Sequence, residues 1–115
     1  MRKRLLAMCD LGPEATLLVC AGRLSVEKRI PMLVEAVTIA GQNRPLGMVI
    51  FGDGRARRKI IHTIGGNPHI RLLEPVRNRP HFAAILASAD ALLHGCEAET
   101  FGMIAAEALA SGTPI

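Results

Sequence analysis

The chain has no tryptophan and no tyrosine, and three phenylalanines make up its whole aromatic content. The stacking platforms on which single-stranded nucleic acid modules rely are therefore nearly absent. No apolar run approaches the ~18 residues of a membrane-spanning helix. The three cysteines, Cys9, Cys20 and Cys96, are an odd number without a CxxC pair, which fits a reduced, cytosolic setting. Cys20 lies in an apolar run where a small buried hydrophobe is expected. The opening Met1-Arg2-Lys3-Arg4 followed by LLAMC has the look of a secretion signal, but its apolar part is shorter than the ~7 to 15 residues an h-region needs.

What is present is enough apolar mass for a core. Half of the 115 residues are hydrophobic, 21% are charged, and the mean hydropathy is +0.29, so disorder is excluded and the chain is one domain or part of one. That core must be aliphatic and alanine-rich. The formal charge of +4 and a pI near 9.5 favour an anionic partner without choosing among a nucleotide, a phosphate, nucleic acid and a membrane surface.

Apolar runs of strand length alternate with helical spacing. Thr16 to Ala21 (TLLVCA) reads as a first buried strand ending at Gly22. With Ser25 as N-cap, Val26 to Ala40 reads as a helix carrying Ile30, Leu33, Val34, Val37 and Ala40 on its apolar side, stopped by Gly41. Leu46 to Phe51 is a second strand, and Arg55 to Ile64 an exposed basic helix ended by Gly65-Gly66. His69 to Leu73 is a third strand, Arg79 to Ser88 a helix, and Ala91 to His94 a fourth strand. Phe101 to Ala110 is apolar almost all round and predicts a buried helix stopped by Gly112 and Pro114. Strands apolar on both faces and alternating with helices predict a doubly wound α/β fold, a Rossmann-like parallel sheet with helices on both faces. Pro114-Ile115 looks like the start of a fifth strand, so the sheet is expected to be incomplete at its C-terminal end and the chain a fragment.

In such a sheet a ligand binds beyond the carboxyl ends of the strands where strand order reverses, which for the order 3-2-1-4 lies between the first and fourth strands. Two loops border that point, Gly22 to Lys28 and Gly95 to Gly102. Arg23 and Lys28 bracket a helix start, where free N–H groups already attract anions, and together they describe a phosphate site; a solvated loop with Glu27 paired to one cation is the plainer alternative. Glu107 is the sole charge of an apolar helix and can lean back toward the crevice that Glu99 reaches from the loop. Phe101 and Gly102 begin that helix with free N–H groups. The alternatives are that Glu99 merely complements the helix dipole and Glu107 pairs with an internal arginine.

Other signals lead nowhere specific. Gly52-Asp53-Gly54 invites a dinucleotide reading, but it follows the wrong strand and has Arg57 where a third glycine belongs. His62, His69, His81 and His94 lack paired ligand spacing, and no metal is expected. Arg55, Arg57, Arg58 and Lys59 read as a solvated face, and no nucleic acid partner is expected.

The strings AGRLSVEK after a strand, VIFGDG, ILASADALL and CEAETFGMIAAEALASGTPI, in this order and spacing, resemble the C-terminal domain of retaining GT-B glycosyltransferases of family 4. The resemblance runs from Leu17 onward. Its most specific element is Glu99 and Glu107 within ETFG and EALASGTP, and the GRLSVEK loop is second. It implies that residues 1–115 are a partial nucleotide-sugar-binding domain whose donor is a UDP-, GDP- or ADP-sugar, with no other cofactor and no metal. Arg23 and Lys28, beside Gly22, would hold the diphosphate as it leaves, Glu99 would orient sugar hydroxyls, and the backbone of Phe101 and Gly102 would lie by sugar and phosphate. Glu107 would bind the ribose, and residues near Leu73 and Val76 would flank the base. Arg29 stands where the family usually has glycine after the EK pair, Glu74 and Pro75 where the third strand usually ends in glycine, and His94-Gly95 where Pro-Ser is common. The resemblance further implies that the parent enzyme moves a hexose to a glycan, lipid or small-molecule acceptor and carries an N-terminal acceptor domain absent from this chain, which alone should not turn over. A cytoplasmic location is expected, with peripheral membrane association of the parent left open. The competing readings are a non-catalytic nucleotide-binding or interaction module and, further off, a nicotinamide-dependent oxidoreductase.

Overall fold

The computed structural model describes residues 1–24 and 29–93. Eight elements follow one another in these segments: α1 (Arg2–Met8), β1 (Thr16–Ala21), α2 (Ile30–Ala40), β2 (Leu46–Phe51), α3 (Arg57–Ile64), β3 (Ile70–Leu73), α4 (Arg79–Ser88) and β4 (Ala91–Leu92). The four strands form one parallel sheet in the order β3-β2-β1-β4. This is the doubly wound arrangement that the alternation of apolar runs predicts, with the order reversing between β1 and β4.

Alternation along the strands supplies two cores. Leu17 and Val19 of β1 and Val49 and Phe51 of β2 pack with Leu5, Leu6, Ile85 and Leu86, so α1 and α4 cover one face. Cys20, Met48 and Ile50 pack with Leu24, Ile30, Val34, Val37 and Ile60, so α2 and α3 cover the other. Successive side chains of a strand point to opposite faces, and a strand buried on both must be apolar at every position.

The N-terminal segment, for which the sequence suggested no fold element, is a helix. Its residues are good helix formers with Leu5 and Leu6 fully turned inward, and its first turn is tied to the end of the chain's described part. Arg2 donates to the carbonyls of Ala15 (2.8 Å) and Ser88 (3.1 Å) and pairs with Asp90 at 2.9 Å. Asp90 Oδ2 in turn accepts from the backbone N–H of Leu17 at 2.7 Å.

Four boundaries differ from the expectation. α2 begins at Ile30, not Val26, with Arg29 as its N-cap. A helix begun at Val26 would put Pro31 in its interior, removing a hydrogen bond and pressing the ring on a carbonyl four residues back; at the second helical position the missing N–H costs nothing. Arg29 adopts φ 51°, ψ 35°, the left-handed conformation glycine accepts most readily, at the position where the resembling family has glycine. α3 starts at Arg57 because Asp53 O and Ala56 N are occupied by bonds to Leu24 of the neighbouring loop, and Gly54 N by the Asp53 side chain, described below. β3 starts at Ile70: the His69 carbonyl still accepts from Met48 N of β2 (3.0 Å), but its N–H is bound to Asn67 Oδ1 and its Nδ1–H is donated to the Cys9 carbonyl. β4 is described as Ala91–Leu92, extended by a bond from Leu93 N to Val19 O. Its expected last residue, His94, lies outside the described residues, as do Ser25 and the helix expected from Phe101.

Candidate functional site

The carboxyl ends of β1 and β2 and the loop after β3 surround a cleft of about 280 Å³ on the face that α4 covers. Ala21, Phe51, Val76 and Phe82 give it an apolar floor, Gly22 leaves one wall as bare backbone, and Arg77 and Arg79 stand on the rim. Among the described residues no carboxylate lines it. Both arginines are exposed and, among the described residues, neither is paired with an acid. Such a cleft suits a flat or apolar body that carries negative charge at one end. A wider concavity of about 340 Å³ runs along α3 and the edge strand β3, but it lies away from the strand ends where ligands bind in open parallel sheets.

The loop after β3 is placed by its own sequence. Asn78 caps α4 by accepting from the N–H of His81 at 3.0 Å, and Pro80 sits in the first turn, where its lack of an N–H is harmless. Arg77 and Arg79 flank this cap and are thereby held at the mouth of the cleft. Phe82, one turn into α4, adds an apolar side chain to the lining.

Gly22 and Val76, named from separate stretches of sequence, meet in this cleft. Arg23 follows Gly22 directly, is exposed, and has no partner among the described residues, although its side chain is not part of the cleft wall. Lys28, Glu99, Phe101, Gly102 and Glu107 lie outside the described residues. Arg77 and Arg79 were missed by the sequence reading, which looked for cations only in the loop after the first strand. Their signal was available: two arginines in the connection following a buried strand necessarily lie on the carboxyl edge.

Among the described residues, no group of three or more histidines, cysteines or acids is placed to hold a metal, and no helix is long and apolar enough to cross a membrane.

With the geometry in place, comparison with known proteins decides the family. The model of the glycosyl transferases group 1 family matches residues 15–115. The chain belongs to this family. A GDP-mannose-dependent alpha-(1-6)-phosphatidylinositol dimannoside mannosyltransferase of Mycobacterium tuberculosis is 38% identical over 103 residues, covering 89% of this chain and 27% of that protein. A D-inositol 3-phosphate glycosyltransferase of Jonesia denitrificans is 31% identical over 91% of this chain and 27% of its own length. The chain thus spans about a quarter of these relatives. Among solved structures, the pneumococcal O-GlcNAc transferase GtfA in complex with UDP and GlcNAc superposes with a TM-score of 0.74 at 29% identity, over 89% of this chain and 21% of GtfA. The fold of this group 1 chain is accordingly a Rossmann-like α/β sheet of the GT-B glycosyltransferase type.

Proposed function

We propose that residues 1–115 are part of the C-terminal, donor-binding domain of a retaining family 4 glycosyltransferase, and that the cleft beyond β1 and β3 receives a nucleoside diphosphate sugar. The observation that carries this reading is the meeting of bare Gly22 backbone, an apolar floor and two arginines without an acidic partner among the described residues at the carboxyl edge of the sheet. The base lies on the floor near Val76, and the diphosphate extends toward Arg23 and Lys28. There the cations stabilise charge that develops on the phosphate oxygens as the sugar departs, without need of a metal ion. Glu99 orients the sugar, Glu107 binds the ribose, and Phe101 and Gly102 lend backbone N–H groups; these assignments rest on the family resemblance. A relative named for GDP-mannose and a structure holding UDP support a nucleotide-sugar donor. The acceptor, a glycan, lipid or small molecule, is held by the rest of a longer parent protein that works in the cytoplasm or at the inner membrane face.

The test is a calorimetric titration of the chain with UDP, GDP and ADP in the presence of EDTA. Saturable binding of one of them, weakened about tenfold or more by Arg23→Ala and by Arg77→Ala, is expected, since a hydrogen bond to a charged group contributes roughly 1.5–3 kcal/mol. A folded chain that binds none of the three contradicts the reading.

A further inference from the structure

Gly52-Asp53-Gly54 fails as a dinucleotide loop, yet the structure gives it a different task. The turn after β2 runs alongside the turn after β1 and continues their pairing beyond the strands: Gly22 N donates to Phe51 O (3.1 Å), Leu24 N to Asp53 O (3.0 Å) and Ala56 N to Leu24 O (2.9 Å). The two turns touch without space for side chains between them. A Cβ at Gly52 would overlap the carbonyl oxygen of Gly22, and one at Gly54 would stand 2.5 Å from the carbonyl oxygen of Leu24 and 2.9 Å from its nitrogen. Gly54 has φ +156°, a backbone state side chains rarely adopt, and its N–H is held by Asp53 Oδ1 at 2.9 Å. Leu24 is fully buried against α2 and α3. Arg23 therefore sits between two residues whose backbones are bonded to the neighbouring turn, and its own side chain is left pointing to solvent without a partner among the described residues.

We propose that Gly52 and Gly54 are positioning residues: the second turn is a template that fixes the backbone on either side of Arg23, and it contacts no nucleotide itself. This inference rests on the donor-site reading above. A fixed backbone lets a long cationic side chain meet a diphosphate with less ordering at the moment of binding, so loosening the template should lower affinity only through Arg23.

The experiment is a double-mutant cycle of Gly54→Ala with Arg23→Ala, read by calorimetry with UDP, GDP and ADP, with amide exchange at Leu24 and Ala56 followed on the same samples. Gly66→Ala, where an added Cβ meets nothing within 4 Å, is the control. The expected result is faster exchange at Leu24 and about tenfold weaker binding in Gly54→Ala, with under about twofold further loss when Arg23 is already alanine, since residues acting as one unit are not additive. If Gly54→Ala does not fold, Asp53→Ala and Asp53→Asn replace it: both remove the charge, only the alanine removes the Gly54 bond, and weaker binding by the alanine variant alone is expected. Equal losses with and without Arg23, or unchanged binding by a folded Gly54→Ala or Asp53→Ala chain, overturn the template. A wild-type chain that binds no nucleotide removes the donor-site reading, and the proposal with it. Retained Leu24 exchange protection in Gly54→Ala would count against the template whether or not nucleotide binds.

Discussion

At the scale of single residues, Arg29 and Cys9 show how position overrides residue type. Arg29 occupies a left-handed conformation that costs a side chain on the order of 1 kcal/mol relative to glycine. Arg29→Gly should therefore be about 1 kcal/mol more stable than Arg29→Ala in denaturant unfolding, because both lose the guanidinium and only the glycine relieves the backbone. Equal stability of the two variants would mean that the backbone at this position is not strained. Cys9 is fully buried and its thiol lies 3.8 Å from the Met48 carbonyl. Burial pushes its pKa up, only partly offset by the Met48 backbone and by the charge of Arg71. A raised pKa means that the folded chain holds this proton more tightly than the unfolded one. Its contribution is thus fully present below the ordinary thiol pKa and is lost as pH rises through the folded value. Stability should fall in the alkaline range more steeply in the wild-type chain than in Cys9→Ala, as measured by unfolding at several pH values.

At the scale of elements, the short helix α1 depends on one acid. Asp90 accepts from Leu17 N, returns its own N–H to Leu17 O and meets Arg2, so a single side chain joins the start of β1, the approach to β4 and the N-terminal helix. Removing it leaves the Leu17 N–H without its partner, and Asp90→Ala should cost roughly 1–3 kcal/mol. Arg2→Ala should cost less, since the ion pair itself is more than one-third exposed on both sides and such pairs contribute at most about 1 kcal/mol. The opposite ranking in thermal or denaturant unfolding would show that Arg2, not Asp90, is the joint. α1 was not legible beforehand because seven residues carry too few turns to show a helical period, and the basic opening looked like processing sequence. The strands were legible, since TLLVCA and LGMVIF are apolar at nearly every position and only a strand covered on both faces requires that. The start of α2 was misread because Ser25 offers a good cap in the sequence, while Pro31 decides the matter by where it can stand. Of the site, Gly22 was legible as a strand-end residue and Val76 only through the family resemblance, whereas Arg77 and Arg79 were not singled out, since their place at the cleft depends on how the Asn78 cap and Phe82 set the loop.

For the whole molecule, the account is that a parallel sheet with reversed order at β1 and β4 presents a cationic cleft at its carboxyl edge. Because Arg77 and Arg79 are exposed, their attraction for a diphosphate is screened over about 8–10 Å at physiological salt, and affinity should fall as ionic strength rises. The most direct measurement is the pattern of backbone amide shifts when the nucleotide that binds is added to isotope-labelled chain. The account predicts the largest changes at Gly22, Val76, Arg77 and Phe82, with Thr38, Asn67 and His69 at the opposite edge unmoved. Changes centred on that opposite edge, or none near Gly22 and Val76 at saturation, would contradict it.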